Sequence, residues 1–594
     1  MQRRGFPGNH ATTSALYACA PQDENTILKV LGLHDGKDAG VCLLIDGRPV
    51  FAANEERFSR QKLHFGFPHL SLASLFETTG VSPAEIDRVS VGFRAMVETA
   101  DYPIYSDIDD SKLFQKIFAR VTRMLGPLTA SPPFVRATQF ALGVLSKNKQ
   151  QLEADLKSAG IDAPVEYVDH HRSHAASAYY TSGFDDALVI TADGGGDGLA
   201  GSIYIGKAGK LEMINEWPRV HSAGNFWFLI TNLCGFDPIR HGGKITGLAA
   251  YEPCEETYRI LSDFYGHDPS RPSFINKKHI LFGDAYHALA KALKGYSIYQ
   301  ISYGAQKVLE EAICGVVRRA VERTGLRKLA VAGGTFANVR LNQIILDMDC
   351  VDEIFIHPHM GDGGVTVGSA LDVSARHLPL QPVAIDHVYW GNATNEAEIL
   401  ESLSGYPVKY ERHEDPAPAI GACLAEKKIV GLFNGRMEYG PRSLGQRSII
   451  AEPTDPTMMD WLNKRLERTE FMPFAPIILE EDAGEYFENF DAGRLPAKFM
   501  TLCFNCTEYG KKMAPGIVHK DGTARPQTVN ASENSYVHRA LQEYKKLTGL
   551  SLGINTSFNK HEEPIVCHPR DAIDELVRGG VDVLFIENYR VEKA

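Results

Sequence analysis

The chain has 594 residues, 44% of them hydrophobic, and a net charge of −12 at neutral pH, which calls for two or more domains with large cores. The acidic balance argues against a broad nucleic-acid surface, and no apolar run is long enough to span a bilayer. Ten scattered cysteines, with Cys503 and Cys506 the one close pair, fit a reducing cytoplasm better than a disulfide framework.

Residues 1–26 carry Arg3-Arg4 and small residues before Cys19, but no apolar core of a signal peptide separates them. They are expected to be a disordered extension. From Ile27 the pattern turns to strand, loop with Asp35-Gly36, strand, Asp46-Gly47 turn and strand. The same order returns as ALVITADGGGDGLAGSIYIGKAGKLEMI. A β-meander repeated with an acidic glycine loop implies two related lobes, as in the actin/Hsp70/sugar-kinase group, whose loops clasp a nucleotide. Residues 94–165 are mainly helical and broken by Pro127 and Pro132-Pro133, so they read as an insertion on the first lobe. That insertion is equally well a packing subdomain or the wall of an acceptor pocket or dimer contact.

The chemistry-bearing stretch runs from Val168 to Ala200. His170 and His174 stand at i,i+4, so a helix puts both rings on one face within reach of one cation. After the strand Leu188–Ile190 come Asp193-Gly194-Gly195-Gly196. Freed amides there suit a phosphate and the aspartate suits its Mg²⁺, whereas the plain alternative is a hairpin turn. Further on, Lys244 behind Gly242-Gly243 is placed like a phosphate-contacting lysine, though alone it is an ordinary surface residue. Gly333-Gly334 end a strand ahead of Asn338, a weak nucleotide signal. Next, HPHMGDGG offers Asp362 as third ligand to His170 and His174, with His359 as the competitor.

Pro379, Pro382, Pro407, Pro416 and Pro418 mark residues 378–419 as a crossing between domains, followed by an α/β unit over 420–594. Arg436, Arg442, Arg447, Arg468 and Arg525 are weak as individuals. As a set, with Ser448, Asn555 and Ser557, they suit triphosphate or carbamoyl phosphate. In the strand-like run FMTLCFNC the two cysteines are expected to pack rather than bind zinc.

EERFSRQK, HHRSHAASAYY, DGGGDG, GKITGLAAY, GGTFANVRLN, GDGG, GRMEYGPRSLGQRSI, PFAP and NTSFN...EPIV together resemble the ATP-dependent O-carbamoyltransferases of nodulation and antibiotic tailoring, from Ile27 to about Leu576. The resemblance implies an α/β protein. Its first domain, over 27–377, would be a duplicated actin/Hsp70-like domain similar to the tRNA threonylcarbamoyl transferase subunit (Kae1-like). Its second would be similar to the enzyme that makes threonylcarbamoyl adenylate (YrdC-like). It further implies that carbamoyl phosphate and ATP give carbamoyl adenylate in the second domain. The first domain then passes the carbamoyl group to a hydroxyl of a small molecule, with neither nucleic acid nor membrane as partner and with a homodimer left open.

On the same resemblance His170, His174 and Asp362 match ligands of Fe²⁺ or another divalent metal, and Lys62 matches a basic residue after EERF. Asp193, Gly194, Gly195, Lys244, Gly333, Gly334 and Asn338 match nucleotide-contacting motifs. Arg436, Arg442, Arg447, Arg468, Arg525, Ser448, Asn555 and Ser557 match the carbamoyl phosphate and ATP face, where Mg²⁺ is also expected.

The sequence departs from the family at two places. Lys37 stands where the family reads histidine in G-H-D-A-S. Either Lys37 is a base with a lowered pKa, or His34 or Asp38 takes that role, or Lys37 binds phosphate. The reading favoured is His34 or Asp38 as base with Lys37 as a charge. Leu466, Thr469 and Met472 stand where lysine, glutamate and arginine are expected, so adenylate formation there is expected to be altered or impaired. A tRNA-modifying transferase and a non-catalytic nucleotide-binding partner remain the alternatives. The fused domains and the acidic balance disfavour the first, which a salt-dependent tRNA-binding assay would test. His170, His174, Asp362 and the arginine set argue against the second, which pyrophosphate release from carbamoyl phosphate and ATP would test.

Overall fold

β1 (Lys29–His34) and its antiparallel neighbours β2 (Gly40–Ile45) and β3 (Arg48–Asn54) form a meander, and β4 (Arg88–Val91) and β5 (Val165–Tyr167) extend it in parallel beyond β1. In the computed structural model, which describes residues 27–94, 148–280, 282–467 and 474–594, the resulting order is β3-β2-β1-β4-β5. A second sheet repeats it. β6 (Asp186–Gly196), β7 (Leu199–Lys207) and β8 (Lys210–Pro218) are the meander. A short hairpin, β9 (Tyr265–His267) and β10 (Phe274–Asn276), intervenes, and β11 (Lys328–Ala332) and β12 (Glu353–Ile356) add in parallel to give β8-β7-β6-β11-β12. Two like sheets with one strand order are the duplicated actin/Hsp70-like architecture. Asp-Gly supplies the two-residue turns, since Asp46-Gly47 (φ 50° and 75°) and Asp197-Gly198 (φ 49° and 86°) meet the positive-φ demand of tight hairpins. The hairpin turn of the DGGGDG run thus falls on its second Asp-Gly, leaving Asp193 free of that duty.

Between the two sheets lie two helices. Val365–His377 packs on β1, β2 and β4, and His170–Tyr180 packs on β6, β7 and β11. They touch each other at Gly368, where an added Cβ would stand 1.9 Å from the Ser173 carbonyl oxygen. Their closeness therefore requires that hydrogen.

The third sheet has eight strands. In chain order these are β13 (Val408–Arg412), β14 (Val430–Phe433), β15 (Arg447–Ala451) and β16 (Ala475–Leu479), then, beyond a two-stranded ribbon of β17 (Phe504–Asn505) and β18 (Thr523–Ala524), β19 (Gln527–Val529), β20 (Leu552–Ser557), β21 (Val583–Ile586) and β22 (Tyr589–Lys593). Its order, β13-β22-β21-β14-β15-β20-β16-β19, mixes parallel and antiparallel pairs and defines the second α/β domain.

Three boundaries differ from expectation. β5 completes the first sheet, so the insertion ends before Val165; its residues 95–147 lie outside the described residues, as do the expected extension 1–26 and Arg468, Thr469 and Met472. The crossing is shorter than 378–419, because a helix (Glu396–Ser404) and the edge strand β13 already belong to the second domain. Cys503 and Cys506 are both buried and free, and the expected strand around them shrinks to two residues.

The remaining crossing is a backbone seam. Ala52 N–H donates to the Trp390 carbonyl, Gly391 N–H to Met437 O, Met437 N–H to Asn392 O and Tyr439 N–H to Val388 O. Arginines finish it. Arg57 donates to Gly440 O (2.8 Å), Arg60 to Ile565 O (2.6 Å) and Pro564 O (2.8 Å), and Arg436 to Val50 O (2.7 Å) and Trp390 O (2.6 Å).

Substituting Gly368→Ala is expected to force the two central helices apart and cost about 1–3 kcal/mol of stability. A urea unfolding midpoint equal to that of the unaltered chain would refute this.

Candidate functional site

The Asp169 carboxylate caps the His170–Tyr180 helix by accepting from Arg172 N–H (3.1 Å), and Asp197 accepts from His170 N–H (2.9 Å). The helix so fixed turns His170 and His174 to the same side. Their rings meet Asp193, which leaves β6 where its register with β7 breaks between Ala192 and Gly196. Such a bulge re-aims a side chain out of the ladder. Asp193 Oδ2 lies 2.6 Å from His170 Nε2 and 3.3 Å from His174 Nε2, and Oδ1 lies 3.6 Å from His171 Nε2. Gly196 makes room, since a Cβ there would fall 2.2 Å from the His170 ring. From the far side Asp362, opening a 3-10 turn before the Val365–His377 helix, brings Oδ1 to 3.9 Å from His170 Nε2 and 3.7 Å from His174 Nε2.

The ligand atoms of His170, His174, Asp193 and Asp362 all lie within 4.8 Å of one another. Among the described residues, Nε2 of buried His174 has no well-formed hydrogen bond, only the two carboxylates 3.3 and 3.7 Å away. Two imidazoles and two carboxylates converging around such an orphaned nitrogen fit a divalent first-row cation. The electrostatics agree. Burial works against a charged His170, but the adjoining Asp193 carboxylate outweighs it and lifts the ring to about 9. Burial opposes ionisation of Asp362 as well, yet His174 and His170 hold it down to about 2, and Asp193 is held well below the usual carboxylate range. The site is thus arranged for positive charge. His359, the competing ligand, is turned away: its Nε2 faces Asn54 Oδ1 at 3.1 Å and Asp38 Oδ2 at 3.5 Å.

The loop after β1 faces this set from the first lobe. His34 stacks on Phe93 (5.1 Å between centroids), and Phe93 meets the His170 ring at a tilt (4.4 Å). His34 Nε2 is 2.9 Å from the Lys37 carbonyl oxygen, and burial lowers its pKa to about 4. Asp38, at φ 65°, accepts from Asn54 Nδ2 (3.0 Å). Burial raises its pKa to about 7; Glu56 adds to the rise and Lys62 opposes it. Lys62 itself is paired with Glu56 at 2.9 Å, and Lys37 pairs its backbone with Phe65.

Of the residues expected at the nucleotide, Gly194 packs under Gly224, whose Cβ position is 2.4 Å from its amide nitrogen, and Gly195 has φ 128°. Lys244 is buried in the Gly242–Leu248 helix with Nζ 5.3 Å above the Phe236 ring. Gly333 donates to Met360 O (2.7 Å), and open space lies beside Gly334. Asn338 is spent locally, capping the Val339–Leu346 helix and donating to Gln306 Oε1 (2.8 Å).

Among the described residues of the second domain, Arg436 and Arg447 are engaged by backbone carbonyls and do not join an open arginine cradle. Arg436 sits in the domain seam. Arg447 is fully buried, donating to Asn434 O (2.6 Å) and Gly435 O (3.2 Å) with its guanidinium 3.7 Å above Phe433. Both guanidiniums are taken up by backbone carbonyl groups. Ser448 accepts from Gly445 N–H, and Asn555 donates to Gln527 Oε1. Arg442 and Ser557 are half-buried, and Arg525 lies beside Cys503, where burial lowers its pKa. Arg468 lies outside the described residues.

Sequence reasoning did not place Asp193 with the histidines, nor did it single out His171, Arg57, Arg60 or Tyr439. A signal for Asp193 existed: like Asp362 after β12, it follows a buried strand of the same parallel β6-β11-β12 set.

The family described as Carbamoyltransferase N-terminus matches residues 29–371, and Carbamoyltransferase C-terminus matches 421–593. An uncharacterised protein of Methanocaldococcus jannaschii is 30% identical over 95% of this chain and 99% of its own length. Nodulation protein NolNO of Sinorhizobium fredii is 29% identical over 94% of this chain and 79% of its own. Nodulation protein U of Bradyrhizobium diazoefficiens is 32% identical over 90% and 92%. Among solved structures, full-length HypF in the phosphate- and nucleotide-bound form covers 58% of this chain and 55% of its own at 13% identity, with a TM-score of 0.30, a likeness too slight to argue from.

If Asp193 is a ligand rather than a phosphate-loop residue, Asp193→Asn will weaken divalent-metal retention by at least about 10-fold. Metal analysis after dialysis checks this, and retention equal to the unaltered chain would remove Asp193 from the set.

Proposed function

Because the chain belongs to the carbamoyltransferase family, we propose that it makes carbamoyl adenylate from carbamoyl phosphate and ATP in its second domain and transfers the carbamoyl group to a hydroxyl of a small molecule in its first. The observation that carries the transfer step is the opposition of Asp38 to the His170–His174–Asp193–Asp362 set across the cleft between the two lobes.

Water cleaves carbamoyl phosphate to carbamate and phosphate. Carbamate is a poor electrophile, and its attack on the α-phosphorus of ATP, with loss of pyrophosphate, gives it AMP as a good leaving group. A divalent cation held by the four side chains, Fe²⁺ in the family this chain resembles, supplies charge that offsets the phosphate of the adenylate. This chain's own residues do the rest. Lys244 and the backbone at Gly333 and Gly334 bind the nucleotide half. Asp38 takes the proton of the acceptor hydroxyl as its oxygen attacks the carbamoyl carbon and AMP departs.

A base is most effective when its pKa lies near the working pH. Asp38, at about 7, meets that condition, whereas His34, at about 4, is too weak a base. Asn54, held between His359 and Asp38, positions the carboxylate. Lys37 contributes charge and no proton transfer. In the second domain Arg442, Arg525 and Ser557 face the phosphates, while Arg436 and Arg447 fix the walls.

Incubation with ATP, Mg²⁺ and carbamoyl phosphate, without acceptor, is expected to release pyrophosphate and carbamoyl adenylate, read by mass. Release of neither, with Fe²⁺ also supplied, would sink the two-stage reaction.

Asp38→Asn is expected to leave pyrophosphate release intact and slow transfer to a hydroxyl acceptor found by screening by about 10²–10⁴-fold. The unaltered chain should gain transfer rate as pH rises through about 7, where Asp38 loses its proton. The same pH limb surviving in Asp38→Asn would assign the base elsewhere.

A further inference from the structure

Away from the cleft, a second group of metal-ligating side chains straddles the two domains. His241 precedes the Gly242–Leu248 helix that carries Lys244, and His561 and Glu562 follow the Asn555–Ser557 end of β20. His241 Nε2 lies 2.8 Å from Glu562 Oε1 and His561 Nε2 lies 3.6 Å from the same oxygen, with the two rings nearly parallel at 6.0 Å. We propose that His241, His561 and Glu562 form a second divalent-cation site, of the zinc class, that ties the first domain to the second.

Three observations carry it. Ligand atoms about 2.0–2.1 Å from a tetrahedral zinc stand roughly 3.4 Å apart, and the two nitrogen–oxygen distances bracket that spacing. The carboxylate is divided in the manner of a metal ligand. Oε1 faces both imidazoles, while Oε2 accepts from Arg240 at 2.5 Å, so the guanidinium orients the carboxylate without occupying the oxygen the cation needs. Finally, the loop is set beforehand. Glu562 holds φ 66°, a costly conformation for a residue with a side chain. Asn559 Nδ2 sustains it by donating to Lys560 O (2.8 Å) and Glu563 O (2.7 Å), and Lys560 is anchored on Glu467 at 2.6 Å. Borderline nitrogen and oxygen donors on a half-buried rim select zinc-like ions over Mg²⁺ or Ca²⁺, which prefer oxygen alone. An ion there would hold the start of the Lys244 helix against the loop after Ser557, fixing the distance between the two nucleotide-facing segments.

The test uses the full chain stripped of metal and titrated with Co²⁺, whose visible absorption reports the ligand set. The unaltered protein is expected to take up about two equivalents and His561→Ala about one, with Glu562→Gln at least about 10-fold weaker at the second site. The His170→Ala/His174→Ala double variant should keep the second signal. Added Zn²⁺ should raise the Tm of the double variant and not that of the same variant carrying His561→Ala. Equal Co²⁺ isotherms for the unaltered chain and His561→Ala would overturn the proposal. So would a second equivalent seen only at millimolar Co²⁺, which marks scattered surface histidines.

Discussion

Everything at the centre of this molecule depends on how closely two helices approach between two sheets. The His170–Tyr180 helix belongs to the second sheet and the Val365–His377 helix to the first, and they meet where Gly368 has no side chain to hold them apart. One helix carries the imidazoles and the other begins just after Asp362. Their spacing therefore sets the distance between nitrogen and oxygen ligands. A steric backbone contact thus fixes an electrostatic one: close-packed interiors transmit small displacements instead of absorbing them.

The charges in the cleft follow from that packing. Asp193 is buried beneath three histidines, a position no carboxylate holds without positive charge nearby. With its pKa raised to about 9 by Asp193, His170 can meet that need as a proton carrier, and a divalent cation would meet it more completely. Across the cleft Asp38 has the opposite environment. Burial first, then Glu56 and Asp362, raise its pKa, and Lys62 opposes the rise only in part. Two aspartates of one site thus have their pKa values pushed in opposite directions, the arrangement on which the proposed division of binding from proton transfer rests.

Much of this was legible in the residues. The doubled meander is written in two Asp-Gly turns and alternating apolar strands, and the i,i+4 histidines need only a helix to converge. Asp193 was placed with phosphate because a glycine run after a strand suits both a turn and an anion, and spacing along the chain does not say which side chain a bulge will re-aim. Which arginines serve the fold was hidden for a related reason. A sequence shows donors but not which backbone carbonyls a fold turns toward them, and Arg436 and Arg447 are bound to such carbonyls. Asp362 was the expected third ligand, and its competitor His359 precedes the turn that swings the carboxylate round and faces Asn54 instead.

The seam between the domains joins backbone to backbone, and its arginines also bind carbonyl oxygens. Arg57 meets Gly440, Arg60 meets Pro564 and Ile565, and Arg436 meets Val50 and Trp390. Each contact reads the path of the opposite chain and ignores which side chain hangs from it. A junction of this kind tolerates drift in most of the residues it touches while still demanding that the two chains run in register. The pairing of the two halves is thus written in the course of the main chain, where single substitutions seldom reach it.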